Sequence, residues 1–354
     1  MRILYFSTVN WKWIKQRPHF IAQYLSVQGH EVDYFSINPI GKTRVQKHAE
    51  GRLRIRDTYV LPFALKNRWI ERFNIWYFQK KLSVYQYDII VLTNPLQLQY
   101  IPKRLASNCS IIYECMDNMP YFYNGHLRER MFIEERRMLG FVDGVITSSR
   151  KLKSEIYDRS PNKELTINTI HNAVDKTTLS QAPESLTLQG PNLIYIGTIS
   201  HWLDWDTLYK FAAKYPHYTL YFVGPVDVEL NLLPNMILVG VVEHSRIIDY
   251  IHYGDIMLLP FSVNELTKTV DPVKMYEYLS LNKPVISTYW PELDKFECDN
   301  LGFYRDFNQF EELVNAMSRI KSDFSINYTF MIENQWENRV EKYDSFLNEL
   351  INQK

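Results

Sequence analysis

Short apolar runs alternate with amphipathic stretches along the whole chain. In the first half, RILYFST (2–8) is followed within residues 17–37 by a helical stretch, a turn and a second apolar run. Further runs end in polar or turn residues, namely YDIIVLTNP (87–95), SIIYECMD (110–117) and GVITSS (144–149). Strands and helices that alternate in this way predict a parallel, doubly wound sheet.

A polar, turn-rich segment interrupts this pattern after TINTIHNAVD (166–175), and the pattern then restarts. The apolar runs of the second half are NLIYIGTIS, YTLYFVGP, MILVGVVE, DIMLLPF, PVISTYW and GFYRDF. We therefore predict two Rossmann-like α/β domains, residues 1–172 and 173–325, with the helical remainder 326–354 packing back on the first. Two such domains are expected to face a cleft, with ligands at the carboxyl ends of the strands.

Composition agrees with this division and adds an expected location. A length of 354 residues with 46% hydrophobic residues suits two globular domains. The three cysteines lie at no metal-ligand spacing, and the apolar part of MRILYFSTVN is too short for a secretory signal. No uncharged apolar stretch is long enough to span a bilayer. We expect a cytoplasmic protein with reduced thiols.

The net charge of zero hides two oppositely charged halves. Residues 1–172 carry 26 Lys and Arg against 15 Asp and Glu, whereas residues 173–354 carry 14 against 25. Much of the basic excess lies in 42–56 and 66–81, and the second segment interleaves Trp, Phe and Ile with cations. It predicts a basic amphipathic helix, which fits either an anionic membrane interface or a core-packing helix with its cations in water. No nucleic-acid-binding motif accompanies the charge.

The segment DPVKMYEYL (271–279) places a lysine and a glutamate three residues apart. Neither half contains GxGxxG or a P-loop, so a bound phosphate must be held in another way. A lysine in the first turn of a helix adds its charge to the free N–H groups and the positive dipole end. Asp271 is expected to cap this helix and Pro272 to lie in its first turn, so that Lys274 reaches a pyrophosphate while Glu277 accepts from a ribose diol. On the pair alone, a weak surface ion pair is the alternative.

The longer segment DPVKMYEYLSLNKPVIST resembles the P-x-K-x-[YF]-E-Y-[LM]-x-x-x-K-P-V-[IV] motif of GT-B fold glycosyltransferases, the family-4-like enzymes of bacterial capsule, teichuronic acid and exopolysaccharide synthesis. STVNWKWIKQRPHFIAQYL, IHNAVD, IGTISHWLDW, FVGP and VGVVEH resemble further segments of that family in the same order. The resemblance implies a GT-B fold whose second domain binds a nucleotide-sugar, with Lys274 at the pyrophosphate and Glu277 at the ribose. The other donor-side residues that it implies are Glu243 near the base, Gly197 and Thr198 near the phosphates, Gly224 and Tyr278.

Two departures from retaining members of that family bear on the mechanism. The first glutamate of their E-x7-E pattern falls at Thr269, and Ser200, His201 and Trp202 stand where an Arg and a Lys often occur. The inverting glucuronosyltransferase of xanthan synthesis, which this chain also resembles, shares these gaps and has an aspartate base after the strand that matches SIIYECMD. Asp117 takes that position, so we predict inversion with Asp117 as the base. The alternative is an aspartate that only closes the strand. The residues expected on the acceptor side are Asn10, Arg17, Asn118 and His126.

The sequence thus predicts a glycosyltransferase that moves a sugar from a nucleotide-sugar, with UDP favoured, to a saccharide or lipid-linked acceptor in cell-surface polysaccharide synthesis. No metal or other cofactor is expected, because Asp204-Trp205-Asp206, which spells D-x-D, opens a helix where Asp is a common cap. Peripheral contact with the inner face of an anionic membrane is expected, and no nucleic acid. A UDP-sugar 2-epimerase and a non-catalytic sugar-binding subunit are the alternatives. The donor sugar, the acceptor and the linkage stay open.

Overall fold

The chain divides into two compact units in the computed structural model, which describes residues 1–41, 45, 47–179, 181–320 and 325–352. Unit 1 comprises Met1–His171 and Trp336–Lys354, and unit 2 comprises Asn172–Gln335. The predicted basic segment 42–56 is described only at residue 45 and from residue 47 onward.

Unit 1 is an α/β unit built on one large sheet. Its elements up to residue 169 are β1 (Arg2–Ser7), α1 (Arg17–Val27), β2 (Glu31–Pro39), β3 (Lys47–Glu50), β4 (Leu53–Arg56), β5 (Thr58–Val60), α2 (Arg68–Leu82), β6 (Ile89–Leu92), α3 (Lys103–Ala106), β7 (Ser110–Cys115), α4 (Gly125–Leu139), β8 (Gly144–Thr147), α5 (Arg150–Arg159) and β9 (Thr166–Thr169), with short 3₁₀ helices at Pro95–Tyr100 and Met119–Phe122.

The strand order of this sheet is β3-β4-β2-β1-β6-β7-β8-β9, and β5 pairs with β2. The β3–β4 pair is antiparallel and the other pairs are parallel. The hydrophobic pattern does not predict β3, β4 and β5, because all three are short and β3 and β4 are rich in charged residues. In LRIR, for example, only Leu53 and Ile55 are buried.

Unit 2 holds a second parallel sheet. Its elements are α6 (Lys176–Leu179), β10 (Asn192–Ile196), α7 (Trp205–Lys214), β11 (Thr219–Val223), β12 (Met236–Gly240), α8 (Ile247–Tyr253), β13 (Ile256–Leu259), α9 (Val273–Ser280), β14 (Val285–Thr288), β15 (Leu301–Tyr304), α10 (Phe307–Met317) and α11 (Tyr328–Glu333), with 3₁₀ helices at His244–Arg246, Thr267–Thr269 and Pro291–Lys295.

The order β12-β11-β10-β13-β14-β15 makes this sheet wholly parallel. Alternate residues of β10 enter two separate cores, since Ile194 and Ile196 pack with Met275 and Leu279 whereas Leu193 and Tyr195 pack with Leu208 and Phe211. The sheet is therefore covered on both faces, as continuous apolar strands require. The prediction of two Rossmann-like doubly wound sheets is confirmed.

The last helix, α12 (Trp336–Asn352), packs in unit 1. The Trp336 ring stacks on Phe20 of α1 at 5.0 Å. Gly144 in β8 allows close approach, because a Cβ there would lie 2.8 Å from side-chain atoms of Phe346 and Leu350. None of the described helices is long and apolar enough to cross a lipid bilayer.

The segment that joins unit 1 is shorter than predicted. Residues 326–335, which were expected to return to the first domain, lie in unit 2. They stay there because the Asn327 N–H donates to the Ser280 carbonyl at 2.8 Å and the Val174 N–H donates to the Asn334 carbonyl at 2.8 Å.

Candidate active site

Glycines stand at the carboxyl ends of three adjacent strands of unit 2. Gly197 follows β10, Gly224 follows β11 and Gly240 ends β12. The Gly197 N–H donates to the Val223 carbonyl at 2.9 Å, and the Gly224 N–H donates to the Gly240 carbonyl at 2.8 Å. Gly224 has φ +142°, and a Cβ there would lie 2.1 Å from the Gly197 carbonyl oxygen. At this edge, which we call the glycine edge (Gly197, Gly224 and Gly240), the backbones of neighbouring strands are in direct contact. The lack of side chains there permits close approach of a ligand.

Helix α9 carries the predicted Lys274 and Glu277 next to this edge, after the loop that follows β13. Pro272 is its N-cap residue and offers no side-chain acceptor to the first turn, where the Met275 N–H donates to the Pro272 carbonyl at 3.1 Å. Lys274 Nζ lies 2.6 Å from Glu277 Oε2, and the two side chains are only 20% and 9% exposed. The pair is sheltered, unlike the solvated ion pair that the spacing alone would favour.

The prediction that Asp271 caps α9 is wrong. Its buried carboxylate instead accepts hydrogen bonds from Lys295 Nζ at 2.7 Å, from the Asn172 N–H at 2.6 Å and from the Tyr276 hydroxyl at 3.0 Å. These donors lie before, within and after α9, so Asp271 fixes the start of the helix and with it Lys274. Lys295 had no signal in the sequence, because nothing there indicates a partner 24 residues away.

The remaining donor-side residues lie in different surroundings. Thr198 is partly exposed directly after Gly197, and Glu243 is exposed at the start of the 3₁₀ helix that follows β12. Tyr278 is fully buried in the core, and this burial together with the Glu277 carboxylate raises the pKa of its hydroxyl. Tyr278 therefore packs α9 against the core of unit 2 and does not present its ring to a ligand. Thr269 is buried and donates to the Leu266 carbonyl at 2.7 Å.

The D-x-D residues are used within their own helix, as the capping interpretation predicts. Asp204 caps α7 by accepting from the Thr207 N–H at 3.3 Å and also accepts from the Tyr304 hydroxyl at 3.1 Å. Asp206 pairs with Lys210 at 2.6 Å. Across the described residues, no cluster of three or more His, Cys, Asp or Glu side chains is arranged to hold a metal ion.

Asp117 follows β7 in unit 1, at the carboxyl end of the parallel sheet. It is partly exposed, and no group in the described part of the chain hydrogen-bonds its carboxylate. Burial raises the pKa of Asp117 from 3.8 to about 6, against the opposing effect of the Arg17 charge. A carboxylate with free lone pairs and a pKa near neutrality has the properties of a general base.

Arg17 was predicted to lie on the acceptor side, but the structure buries it inside unit 1. Its Nε donates to Glu114 Oε1 at 2.7 Å while another guanidinium nitrogen donates to the Ile170 carbonyl at 2.7 Å. Glu114 Oε2 also accepts from the hydroxyls of Tyr5 and Tyr343, the latter at 3.0 Å. Glu114 of β7 thus links β1, α1 and α12 through its hydrogen-bond donors. It lies three residues before Asp117 in the chain.

Asn118 and Asn10 both hydrogen-bond inside unit 1, but only the burial of Asn118 contradicts its predicted place on the acceptor side; Asn10 is partly exposed, and its role stays a prediction. Asn118 is fully buried and its Oδ1 accepts from Arg159 at 2.8 Å. The amide nitrogen of Asn10 donates to Asn38 at 2.7 Å and to Asp57 at 3.1 Å. Both residues shape the loops beside the strand ends. His126 is exposed on the first turn of α4 and pairs with Glu129 at 3.4 Å.

Comparisons with known proteins agree with this architecture. The profile of Glycosyltransferase Family 4 matches residues 19–178. A protein of Bacillus subtilis strain 168, TuaH, whose name assigns it provisionally to teichuronic acid biosynthesis as a glycosyltransferase, is 25% identical over 323 residues, which cover 82% of this chain and 81% of that protein. The chain is a glycosyltransferase, and residues 19–178 resemble Glycosyltransferase Family 4.

Solved structures show that this glycosyltransferase has the two-domain Rossmann-like GT-B fold. Sucrose-phosphate synthase from Thermosynechococcus elongatus has a TM-score of 0.76 at 15% identity, with 100% of both chains covered. HepE of Anabaena, solved in complex with UDP and glucose, has a TM-score of 0.71 at 13% identity, with 99% of this chain and 100% of that chain covered.

The glycine edge of the glycosyltransferase gives a first test. Gly240→Ala forces an alanine into a left-handed φ of +85° with no atom within 4 Å of the new Cβ, and should lower the free energy of unfolding by about 1–2 kcal/mol. Gly224→Ala adds the collision with Gly197 and should cost at least about 2 kcal/mol more. Urea unfolding of both variants measures the difference. Equal losses would show that the two strand ends are not in contact.

Asp117 gives a second test, because its raised pKa costs stability. The folded state binds the proton more tightly than the unfolded state, so stability falls as the pH rises from 3.8 through about 6. Asp117→Asn carries no charge at either pH and should raise the free energy of unfolding at pH 7 by about 1–2 kcal/mol, less than the full shift since the carboxylate is partly exposed.

Urea unfolding at pH 7 and below pH 4 measures this effect, and the gain should vanish at the lower pH. Asp158→Asn is the control, because Asp158 is exposed on α5 of the same unit and should change stability by less than about 0.5 kcal/mol at either pH. Equal stability of Asp117→Asn and the wild type at pH 7 would mean that Asp117 is well solvated.

Proposed function

We propose that this glycosyltransferase transfers a sugar, with inversion, from a UDP-sugar to a hydroxyl of a saccharide or lipid-linked acceptor in cell-surface polysaccharide synthesis. The observation that carries the proposal is the sheltered Lys274–Glu277 pair on the first turns of α9, beside the glycine edge of unit 2. The choice of UDP is supported by the complex of HepE with UDP and glucose. The polysaccharide role is supported by the name of TuaH.

Lys274 and Glu277 would divide the nucleotide between them. The lysine cation would face the diphosphate together with the positive dipole end at the start of α9, and the glutamate would accept hydrogen bonds from the ribose hydroxyls. In their 2.6 Å ion pair each group holds the other in place before the nucleotide binds. As the sugar leaves, negative charge grows on the UDP oxygen, and Lys274 stabilises it at a site where water is partly excluded.

Asp117 would act as the base. With a pKa of about 6, its carboxyl group is roughly nine-tenths ionised at pH 7 yet more basic than a fully solvated aspartate. It takes the proton of the acceptor hydroxyl as that oxygen forms a bond to the anomeric carbon. The bond from this carbon to the diphosphate oxygen breaks on the opposite side, and UDP departs with the electron pair. The product therefore has the inverted configuration.

The transfer would need no metal, because Lys274 and the α9 amino terminus supply positive charge to the leaving group. The two D-x-D carboxylates are already engaged, one as the α7 cap and one with Lys210. The enzyme would work in the cytoplasm at the inner face of the membrane, where a lipid-linked acceptor presents its sugar. The excess of Lys and Arg in residues 1–172 supports this location.

Nucleotide binding tests the role of Lys274. UDP should raise the melting temperature of the wild type more than GDP, TDP or CMP do, and Lys274→Ala should weaken UDP binding by at least about tenfold because a charge-assisted contact is lost. Lys268→Ala is the matched control, because Lys268 forms a similar i,i+3 pair with Glu265 at 2.6 Å. An equal UDP shift in Lys274→Ala and the wild type would contradict the proposed site.

The activity of Asp117→Asn tests the base. Transfer should fall by about 10²- to 10⁴-fold, while UDP should stabilise the variant as much as the wild type. In the wild type, kcat/KM should fall about tenfold per pH unit below pH 6, because only the ionised carboxylate accepts a proton. Undiminished transfer by Asp117→Asn, or a rate independent of pH between 4.5 and 7, would exclude Asp117 as the base.

A further inference from the structure

Helix α2 buries two polar and two apolar residues and turns its other aromatic rings outward. Its buried positions are Glu71, Asn74, Phe78 and Leu82. Asn74 accepts from the Leu61 N–H at 3.0 Å and donates to the Leu61 carbonyl at 2.9 Å, and Glu71 pairs with Arg130. These polar contacts fix the rotation of the helix about its axis, so the outward face is determined by specific bonds.

That outward face is unusually apolar for a surface in water. Trp69, Phe73 and Trp76 are 79%, 48% and 54% exposed, and Tyr77 is also exposed. The Phe73 ring lies 5.8 Å from Trp76 and 6.4 Å from Tyr77, so the rings are contiguous. Contiguous exposed apolar residues mark an interaction surface, whereas single ones do not.

The loop before α2 adds a further ring to this surface. Phe63 is 68% exposed and has φ +65°, a left-handed conformation that bulky residues rarely adopt. The N–H groups of Lys66 and Asn67 both donate to the Phe63 carbonyl at 3.0 Å and hold this turn. The strained turn therefore places an aromatic ring in solvent, next to the start of α2.

Cations are interleaved with these rings, and no acid lies among them. The Arg72 guanidinium lies 5.7 Å from the Trp69 ring, and Lys80 Nζ lies 5.1 Å from the Trp76 ring. Lys66 and Arg68 are also exposed. Glu71 is the one acidic residue in the sequence from 61 to 84, and it is turned inward against Arg130. The outer face thus combines exposed aromatic rings with positive charge alone.

We propose that Phe63 and the outer face of α2 form a docking surface for an anionic lipid bilayer, with the rings in the headgroup region and the cations at the phosphates. Trp and Phe on one face with Lys and Arg around them is the composition of helices that lie in a membrane interface. The proposal rests on the membrane contact in the proposed function and gives that contact a surface. A second copy of this chain fits less well, because two such faces would bring Arg68, Arg72 and Lys80 against like charges.

Flotation with vesicles tests the docking surface without any transfer reaction. The full chain should float with vesicles of equal parts phosphatidylcholine and phosphatidylglycerol, and more weakly with phosphatidylcholine alone. Trp69→Gln/Trp76→Gln should lower partitioning into the anionic vesicles by at least about tenfold. Arg72→Gln/Lys80→Gln should lose roughly fivefold per cation with anionic vesicles and keep its binding to neutral ones.

Tyr328→Gln/Ile332→Gln is the matched control, since these side chains are 60% and 54% exposed on α11 of unit 2. It should float like the wild type, and all variants should keep the wild-type melting temperature and UDP shift. Flotation that is equal for the wild type and Trp69→Gln/Trp76→Gln, or reduced as much in the control, would overturn the proposal. The proposal would also be overturned if the wild type formed a dimer with no affinity for vesicles and Trp69→Gln/Trp76→Gln made it a monomer. If the wild type floated with anionic vesicles but UDP did not raise its melting temperature, the result would count against the proposed function and not against the docking surface.

Discussion

A buried carboxylate with several donors stands three residues before the central side chain of each candidate site. In unit 1, Glu114 accepts hydrogen bonds from Arg17 and from two tyrosine hydroxyls. In unit 2, Asp271 accepts them from Lys295, Tyr276 and a backbone N–H. A buried carboxylate is tolerated only while its donors remain in place, because an uncompensated charge costs about 3–5 kcal/mol. The segments that supply these donors are therefore held together, and Asp117 and Lys274 take their positions from them.

The two sites treat their charges in opposite ways. Burial raises the pKa of the Asp117 carboxylate, which has no hydrogen bond from the described residues, whereas the Lys274 cation is held against Glu277. The difference follows from the chemistry proposed for each group. A base needs free lone pairs and some affinity for a proton. A cation that stabilises a leaving diphosphate must stay charged and oriented before the diphosphate arrives.

The sequence predicts what depends on local pattern and misses what depends on distant partners. Buried parallel strands are continuous apolar runs, and the spacing of Lys274 and Glu277 places them on one helical face, so both could be predicted. Arg17 and Asn118 were predicted to lie on the acceptor side. Their actual partners lie 97 and 41 residues away in the chain. A residue type cannot show whether such a side chain turns outward to a ligand or inward to a partner of that kind.

The sequence of helix α2 likewise does not show which of its side chains face outward. Its sequence fits two orientations, one with the rings in the core and one with the rings outside, because its hydrophobic residues are spread around the helix. The observed orientation buries Phe78 and Leu82 in the core, lets Asn74 bond both backbone groups of Leu61 and pairs Glu71 with Arg130. Turning the rings inward would leave these buried polar groups without partners, at a cost of about 1–3 kcal/mol each. Specific hydrogen bonds thus act together with the burial of Phe78 and Leu82, and the remaining rings of the helix stay exposed.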